Sequence, residues 1–393
     1  MNSIQWTEAK CIRYLFPLVI SISFAMDVFV PAIPVMSSFF KTNDTVMQAS
    51  LYVFMLTVAL GQLIVGPLAD QYGRRRIAIY AALLYFIGSI LSALSQSISL
   101  LIMARVIQAA GSCGTYLICF IIVRDNFPTT VCARLFSILG GINAMIASLA
   151  PVIGGLLIDT THDWHSSFYF LTLIGLLMSI TAFYRIPNYA YPKQNTAQLK
   201  IFKTILTNHY FRQYTLIASV NLLGLYLFCA LSPGILISQL HLSATHYGLW
   251  FGLNALTVFF INIITAGLTY YYSLEKIVRF GLACILFACI LMIFLNYYNT
   301  SVLRFMLPML CLTSGIGFSM GTATALALQD LKQQAGSATA LIGACQFSLA
   351  GFIGILTAQW EPKPWVLAFP VLCISILAFM KTRKMGIKVL LNP

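Results

Sequence analysis

The chain has 393 residues, 60% of them hydrophobic and only 8% charged, with a formal net charge of +13. Soluble globular chains carry about 25% charged residues, so this composition excludes a water-soluble enzyme or binding module and places the chain in lipid. The basic surplus does not mark nucleic acid, because it follows the connections between apolar runs.

At about 20 residues per crossing helix, the length accommodates about twelve spans with short loops and no sizeable soluble domain. Apolar runs predict helices near 14–38, 46–69, 77–95, 98–123, 135–157, 168–184, 213–237, 246–268, 277–297, 302–328, 337–359 and 365–380. The longest hydrophilic stretch, 185–212, separates a first six-helix bundle at 1–184 from a second at 213–393. An amphipathic helix is expected within this central loop near 199–206. Lys and Arg number 19 in the loops on one side and three on the other, Lys41, Arg304 and Lys363, which predicts that both termini face the cytoplasm. The ten cysteines fall mostly in apolar runs and read as free thiols packed as small apolar groups.

In the first run, Asp27 is the only acidic residue in the middle of any apolar stretch. An ionised carboxylate at mid-membrane costs several kcal/mol unless it is paired, which makes Asp27 a candidate proton carrier. A plain hydrogen bond to a neighbouring helix is the alternative. Pro31 and Pro34 should bend the outer end of this helix.

Between the second and third runs stands Gly66-x-Leu68-Ala69-Asp70-x-x-Gly73-Arg74-Arg75. Gly73 suits a tight turn, and Gly66 suits close backbone approach. This stretch resembles the signature between helices 2 and 3 of major facilitator superfamily transporters, departing at Gln71 where that family usually has a basic residue. The resemblance implies an all-α membrane fold of twelve helices in two pseudo-symmetric six-helix bundles.

The fourth run carries Arg105, Gln108, Ser112, Thr115 and Tyr116 at steps of three or four, a polar stripe on one helix face. Arg105 lies about 10 Å inside the outer end of its helix at 1.5 Å per residue, a depth matching that of Asp27. Opposite charges at one depth relieve each other, so Asp27 and Arg105 are expected to face one cavity and act together in proton coupling. A snorkelling arginine is the alternative. Arg-x-x-Gln is similar to the family's fourth-helix signature, with Ala109 at a glycine position and Gly111 retained. By the same resemblance, Asp70, Arg74 and Asp125 form an inner charge cluster that latches one conformational state.

The fifth run contains Ala150-Pro151-Val152-Ile153-Gly154-Gly155. Pro151 with paired glycines makes a bendable helix with a flat packing face. It is similar to the antiporter signature of the fifth helix, with the glycines at Ser137, Ile146 and Ala150 replaced. The Asp27-x-x-x-Pro31-Ala32-x-Pro34 string resembles the bicyclomycin-resistance (Bcr/CflA) branch of drug:proton antiporters. Together Gly66, Asp70, Gly73, Arg74, Arg75, Asp125, Pro151, Gly154 and Gly155 form the expected gating set.

In the outer loop, His162 and His165 flank Asp163 and Trp164 without further ligands for a metal, and Trp164 reads as an interface anchor. The second half echoes the opening signature only faintly, in Gly267-x-x-x-Tyr271-x-x-Leu274-Glu275-Lys276. Gln108, Tyr116, Asn143, Asn221, Asn254 and Gln346 are the polar candidates for lining a substrate cavity, with satisfied interhelical hydrogen bonds as the alternative.

The expectation is a secondary transporter, not an enzyme, that exports hydrophobic or amphiphilic compounds in exchange for protons by alternating access. The proton gradient would be its energy source, with no bound cofactor. Its partners would be membrane lipid, protons and a small-molecule substrate, with no nucleic acid, and it would act as a monomer in a bacterial inner membrane. Export or import of a specific metabolite, such as a siderophore or an amino-acid derivative, stays open.

Overall fold

The computed structural model describes residues 6–187, 198–331 and 335–391, so residues 188–197 of the expected central loop lie outside the described residues. Among the described residues all regular structure is helical, and twelve segments are long and apolar enough to cross a membrane. The chain divides into two compact units, Met1–Thr196 with Ser243–Leu249, and Ala197–Leu242 with Trp250–Pro393. The division falls within the expected central loop. Ser243–Leu249, which the sequence placed in the second half, groups with the first unit.

The first unit opens with α1 (Glu8–Val19), α2 (Ser21–Asp27), a 3₁₀ turn (Val30–Ala32) and α3 (Ile33–Phe39), which together make one span. Then come α4 (Asp44–Tyr72), α5 (Arg74–Ala93), α6 (Ile98–Asn126), α7 (Thr129–Thr161) and α8 (His165–Arg185). Side-chain caps fix several starts: Asn43 accepts from the Val46 N–H at 3.0 Å, and Ser97 from the Leu100 N–H at 3.3 Å. The α4–α5 hairpin turns on Gly73 at φ +91°, a conformation side chains with a Cβ rarely adopt.

The first span is broken twice, at Ile20 and after Asp27, where the sequence led us to expect one bent helix. The second break has a local cause. Pro31 has no N–H for the carbonyl of Asp27 four residues earlier, and its ring crowds that carbonyl, so α2 stops at Asp27 and the chain tightens into a 3₁₀ turn.

The second unit contains α9 (Gln198–Thr207), α10 (His209–Pro233) running into a π-turn (Gly234–Gln239), and α11 (Ala244–Leu268), whose first turns group with the first unit. It continues through α12 (Leu274–Leu295), α13 (Val302–Leu328), α14 (Ala335–Thr357) and α15 (Pro364–Leu391). Here α10 begins four residues before its apolar run because Asn208 caps it, accepting from the Phe211 N–H at 3.0 Å.

In the first unit α5 packs against α6 and α8, α4 against α6, and α2 against α6 and α7; in the second, α10 packs against α13, α14 and α15. The first and seventh spans are buried along 89% and 83% of their most apolar stretches, against 22% to 61% for the other ten. These two are the most buried of the twelve, and Asp27 sits on one of them.

Candidate functional site

The break after Asp27 sets the site. Asp27 is 6% exposed and ends α2. Arg105, on α6, is fully buried and donates from Nη1 to the Ala25 carbonyl at 2.7 Å. Its guanidinium carbon also stands 4.3 Å from the centroid of the Phe29 ring, over its face. Asp27 thus lies in the chain between Ala25 and Phe29, both of which Arg105 touches, and the guanidinium is held against the turn that carries the carboxylate.

Further partners of the arginine come from α4 and from its own helix, which is tied in turn to α5. Phe54 on α4 places its ring 4.5 Å from the same guanidinium carbon. Gln108, one turn along α6, accepts from Arg105 Nη1 at 2.5 Å and donates to Ser89 Oγ of α5 at 2.8 Å. Gln108 was expected on a cavity wall; its amide is engaged on both sides inside the first unit. Further along the stripe, the Ser21 hydroxyl donates to the Ser112 carbonyl at 3.2 Å and lies 3.0 Å from Thr115 Oγ1. Tyr116 is partly exposed and packs on Phe120, ring centroids 4.9 Å apart.

The fifth-helix motif closes on the same break. A Cβ built at Gly154 would stand 1.9 Å from the Val28 carbonyl oxygen, so only glycine lets α7 approach the residue next to Asp27. Ser23, one turn before Asp27, donates to Asn143 of α7 through its carbonyl at 3.2 Å and its side-chain Oδ1 at 2.9 Å. On another side of α7, the Pro151 and Gly155 region meets the segment Ser243–Leu249: a Cβ at Gly155 would come 2.5 Å from the Ala244 carbonyl. Asp159, which the sequence did not single out, fixes that contact by accepting from the Thr245 N–H at 2.9 Å and the Thr245 hydroxyl at 2.5 Å.

At the α4–α5 turn, the expected charge cluster is in contact. Arg74 Nη1 is 2.6 Å from Asp70 Oδ1, and its Nε donates to Asp125 Oδ2 at 2.8 Å. The Arg74 side chain is only 7% exposed, so this is a largely desolvated cluster and not an ordinary solvated pair. Arg75 donates to the Phe183 carbonyl at 2.7 Å, tying the turn to the end of α8. Gly66 differs from its expected role: among the described residues nothing lies within 4 Å of a Cβ built there, so packing inside the bundle does not require a glycine.

In the second unit, Asn221 Oδ1 accepts from Ser319 Oγ at 2.9 Å and Asn254 Oδ1 from Thr313 Oγ1 at 3.1 Å, while Gln346 donates to the Ala218 carbonyl at 3.2 Å. Asn221 and Asn254 are buried and link α13 to α10 and α11. The two rings against Arg105 were also absent from the sequence reading. Nothing distinguishes Phe29 and Phe54 among 28 phenylalanines until the fold brings them to one cation.

Comparison with known proteins agrees with this architecture. The chain is 26% identical over 379 residues to the chloramphenicol resistance protein of Pseudomonas aeruginosa, covering 95% of this chain and 89% of that protein. It is 24% identical over 354 residues to the multidrug resistance protein MdtL of Vibrio parahaemolyticus, covering 86% and 88%. Among solved structures, the partially occluded inward-open xylose transporter XylE from E. coli superposes with a TM-score of 0.77 at 13% identity, covering 96% of this chain and 97% of that one. A variant of the nucleoside transporter NupG does so with a TM-score of 0.73 at 9% identity, covering 96% and 99%. At such identities the two structures share the fold alone. The family model of the Major Facilitator Superfamily matches residues 15–355, and the chain, a multi-pass membrane protein, belongs to that family of transporters.

Proposed function

We propose that the protein is a proton-coupled exporter of hydrophobic or amphiphilic small molecules, working by alternating access in a bacterial inner membrane with both termini in the cytoplasm. The observation that carries this reading is the buried Arg105 held against the turn that bears Asp27, a buried cation next to the one acid in the middle of an apolar run. Asp27 takes up a proton or releases it as substrate leaves or binds, and Arg105 tunes how readily it does so. Each elementary charge moved through 100 mV supplies about 2.3 kcal/mol, enough to drive export against a useful gradient. The resistance proteins among its relatives support a drug-like substrate over a sugar or nucleoside.

The test uses purified protein in proteoliposomes with an imposed pH gradient and chloramphenicol as the first probe, followed by cationic and zwitterionic compounds. The wild type should accumulate a probe in response to the gradient. Asp27→Asn should lose gradient-driven accumulation and keep gradient-independent exchange. Undiminished driven transport in Asp27→Asn would remove Asp27 from the coupling role.

A further inference from the structure

A buried guanidinium whose neighbouring carboxylate is neutral for part of each cycle needs compensation that does not change with protonation. The site provides it in three forms. Arg105 is bonded to the Ala25 carbonyl, to the Gln108 amide oxygen, and is set over the faces of Phe29 and Phe54 at 4.3 and 4.5 Å. An aromatic face carries the negative part of the ring quadrupole and attracts a cation most strongly where water is excluded. Both rings and the arginine are fully buried. Neither the carbonyls nor the rings titrate, so their hold on Arg105 is the same whether Asp27 is charged or neutral.

The two rings also come from parts of the first unit that the site brings together. Phe29 lies in the break of the first span, and Phe54 lies on α4. Phe29 is itself seated on Phe168 of α8, centroids 5.5 Å apart. Gln108 is anchored through Ser89 to α5. A guanidinium carbon set over both rings is therefore fixed in position by α4, by α5 through Gln108, and by the broken first span at once.

We infer that Phe29 and Phe54 are positioning residues for proton coupling: their ring faces stabilise the Arg105 cation and hold it in place through the half-cycle in which Asp27 is neutral. The inference rests on the proton-coupled reading above. It assigns to two apolar side chains an electrostatic task that packing alone would not require.

Shape and electrostatics separate in one experiment. Incorporating phenylalanine analogues with successively more ring fluorines at position 54 keeps the ring's shape and removes the negative face. Phe54→Trp keeps a strong face, and Phe54→Leu removes it. Each variant is reconstituted beside the wild type and Asp27→Asn, and three quantities are read: gradient-driven transport, gradient-independent exchange, and thermal stability. The expected result is a stepwise fall in driven transport with fluorination, reaching about tenfold at full substitution. Exchange should stay within about twofold, Phe54→Trp near wild type, and Phe54→Leu as impaired as the fully fluorinated ring. The same series at position 29 should behave alike. Driven transport that does not respond to fluorination, in a wild type that couples and an Asp27→Asn that does not, overturns the inference and leaves the proton-coupled reading standing. A wild type without gradient-driven transport overturns both.

Discussion

Asp159 reaches from the end of α7 to the first turn of α11, where it accepts from both the backbone N–H and the hydroxyl of Thr245. A carboxylate at this place satisfies a free N–H of a helix start and meets the positive end of its dipole. Asp159→Ala should therefore destabilise the protein by about 1–2 kcal/mol, in the range of a lost cap. Thr245→Val keeps the backbone bond and should cost less. Thermal unfolding in one detergent, with both variants and the pair, measures the difference.

Gly154 should tolerate no side chain. With the Val28 carbonyl 1.9 Å from a Cβ built there, Gly154→Ala forces α7 away from the break, at a cost of about 1–3 kcal/mol. Gly140 lies on the same helix with nothing within 4 Å of its added Cβ, so Gly140→Ala serves as the neutral control. Expression level and melting temperature of the two variants should differ clearly, and similar values for both would contradict the close approach of α7 to Val28.

The Arg74 cluster should behave as a coupled unit. Removing the arginine takes from Asp70 and Asp125, both mostly buried, the cation they share, a loss of up to about 3 kcal/mol, whereas an exposed pair would cost less than about 1 kcal/mol. A double-mutant cycle of Arg74→Ala and Asp125→Ala should give a coupling energy above about 1 kcal/mol. Arg74→Lys should recover only part of it, because one ammonium cannot reproduce the separate Nε and Nη1 contacts.

The loop at Asp163 should give the protein a small acid-sensitive increment of stability. Burial works to raise the Asp163 carboxyl, but hydrogen bonds from the ring and backbone N–H of His165, with its charge, outweigh burial and hold the carboxyl below the ordinary range. A carboxyl lowered in the folded state stabilises the protein above its unfolded value of about 3.9, and this contribution is lost as pH falls through the folded value. Melting curves from pH 6 down to pH 3 should show a loss in the wild type below about pH 4 that Asp163→Asn lacks. The carboxylate is half exposed, so the effect should be small and should weaken further with salt.

What the sequence made legible was what composition and local spacing carry. Twelve apolar runs read as twelve spans because each must satisfy its own backbone in lipid. The Arg74 contacts with Asp70 and Asp125 were legible only through the resemblance of this hairpin to a family signature, because Asp70 and Arg74 stand on different helices either side of Gly73. The break after Asp27 was half legible: Pro31 announced a distortion, but a bend and a full stop of the helix look alike in sequence. Gln108 read as a cavity residue because a polar stripe shows which face is polar and not what covers it; Ser89 on α5 covers it. The grouping of Ser243–Leu249 with the first unit and the Asp159–Thr245 bonds come from tertiary packing between segments 86 residues apart, for which no local signal exists.

The deep burial of the first span bears on how the protein is made. This segment leaves the ribosome before its partners: the arginine that grips its Ala25 carbonyl is encoded 80 residues later and the asparagine bonded to Ser23 follows 120 residues later. At about 5–20 residues per second, the stretch holding Asp27 waits roughly 6 to 24 seconds for those companions. Throughout that interval a helix broken at its own proline must be sheltered by the insertion machinery, so substitutions near residue 105 should first show as slow or failed biogenesis.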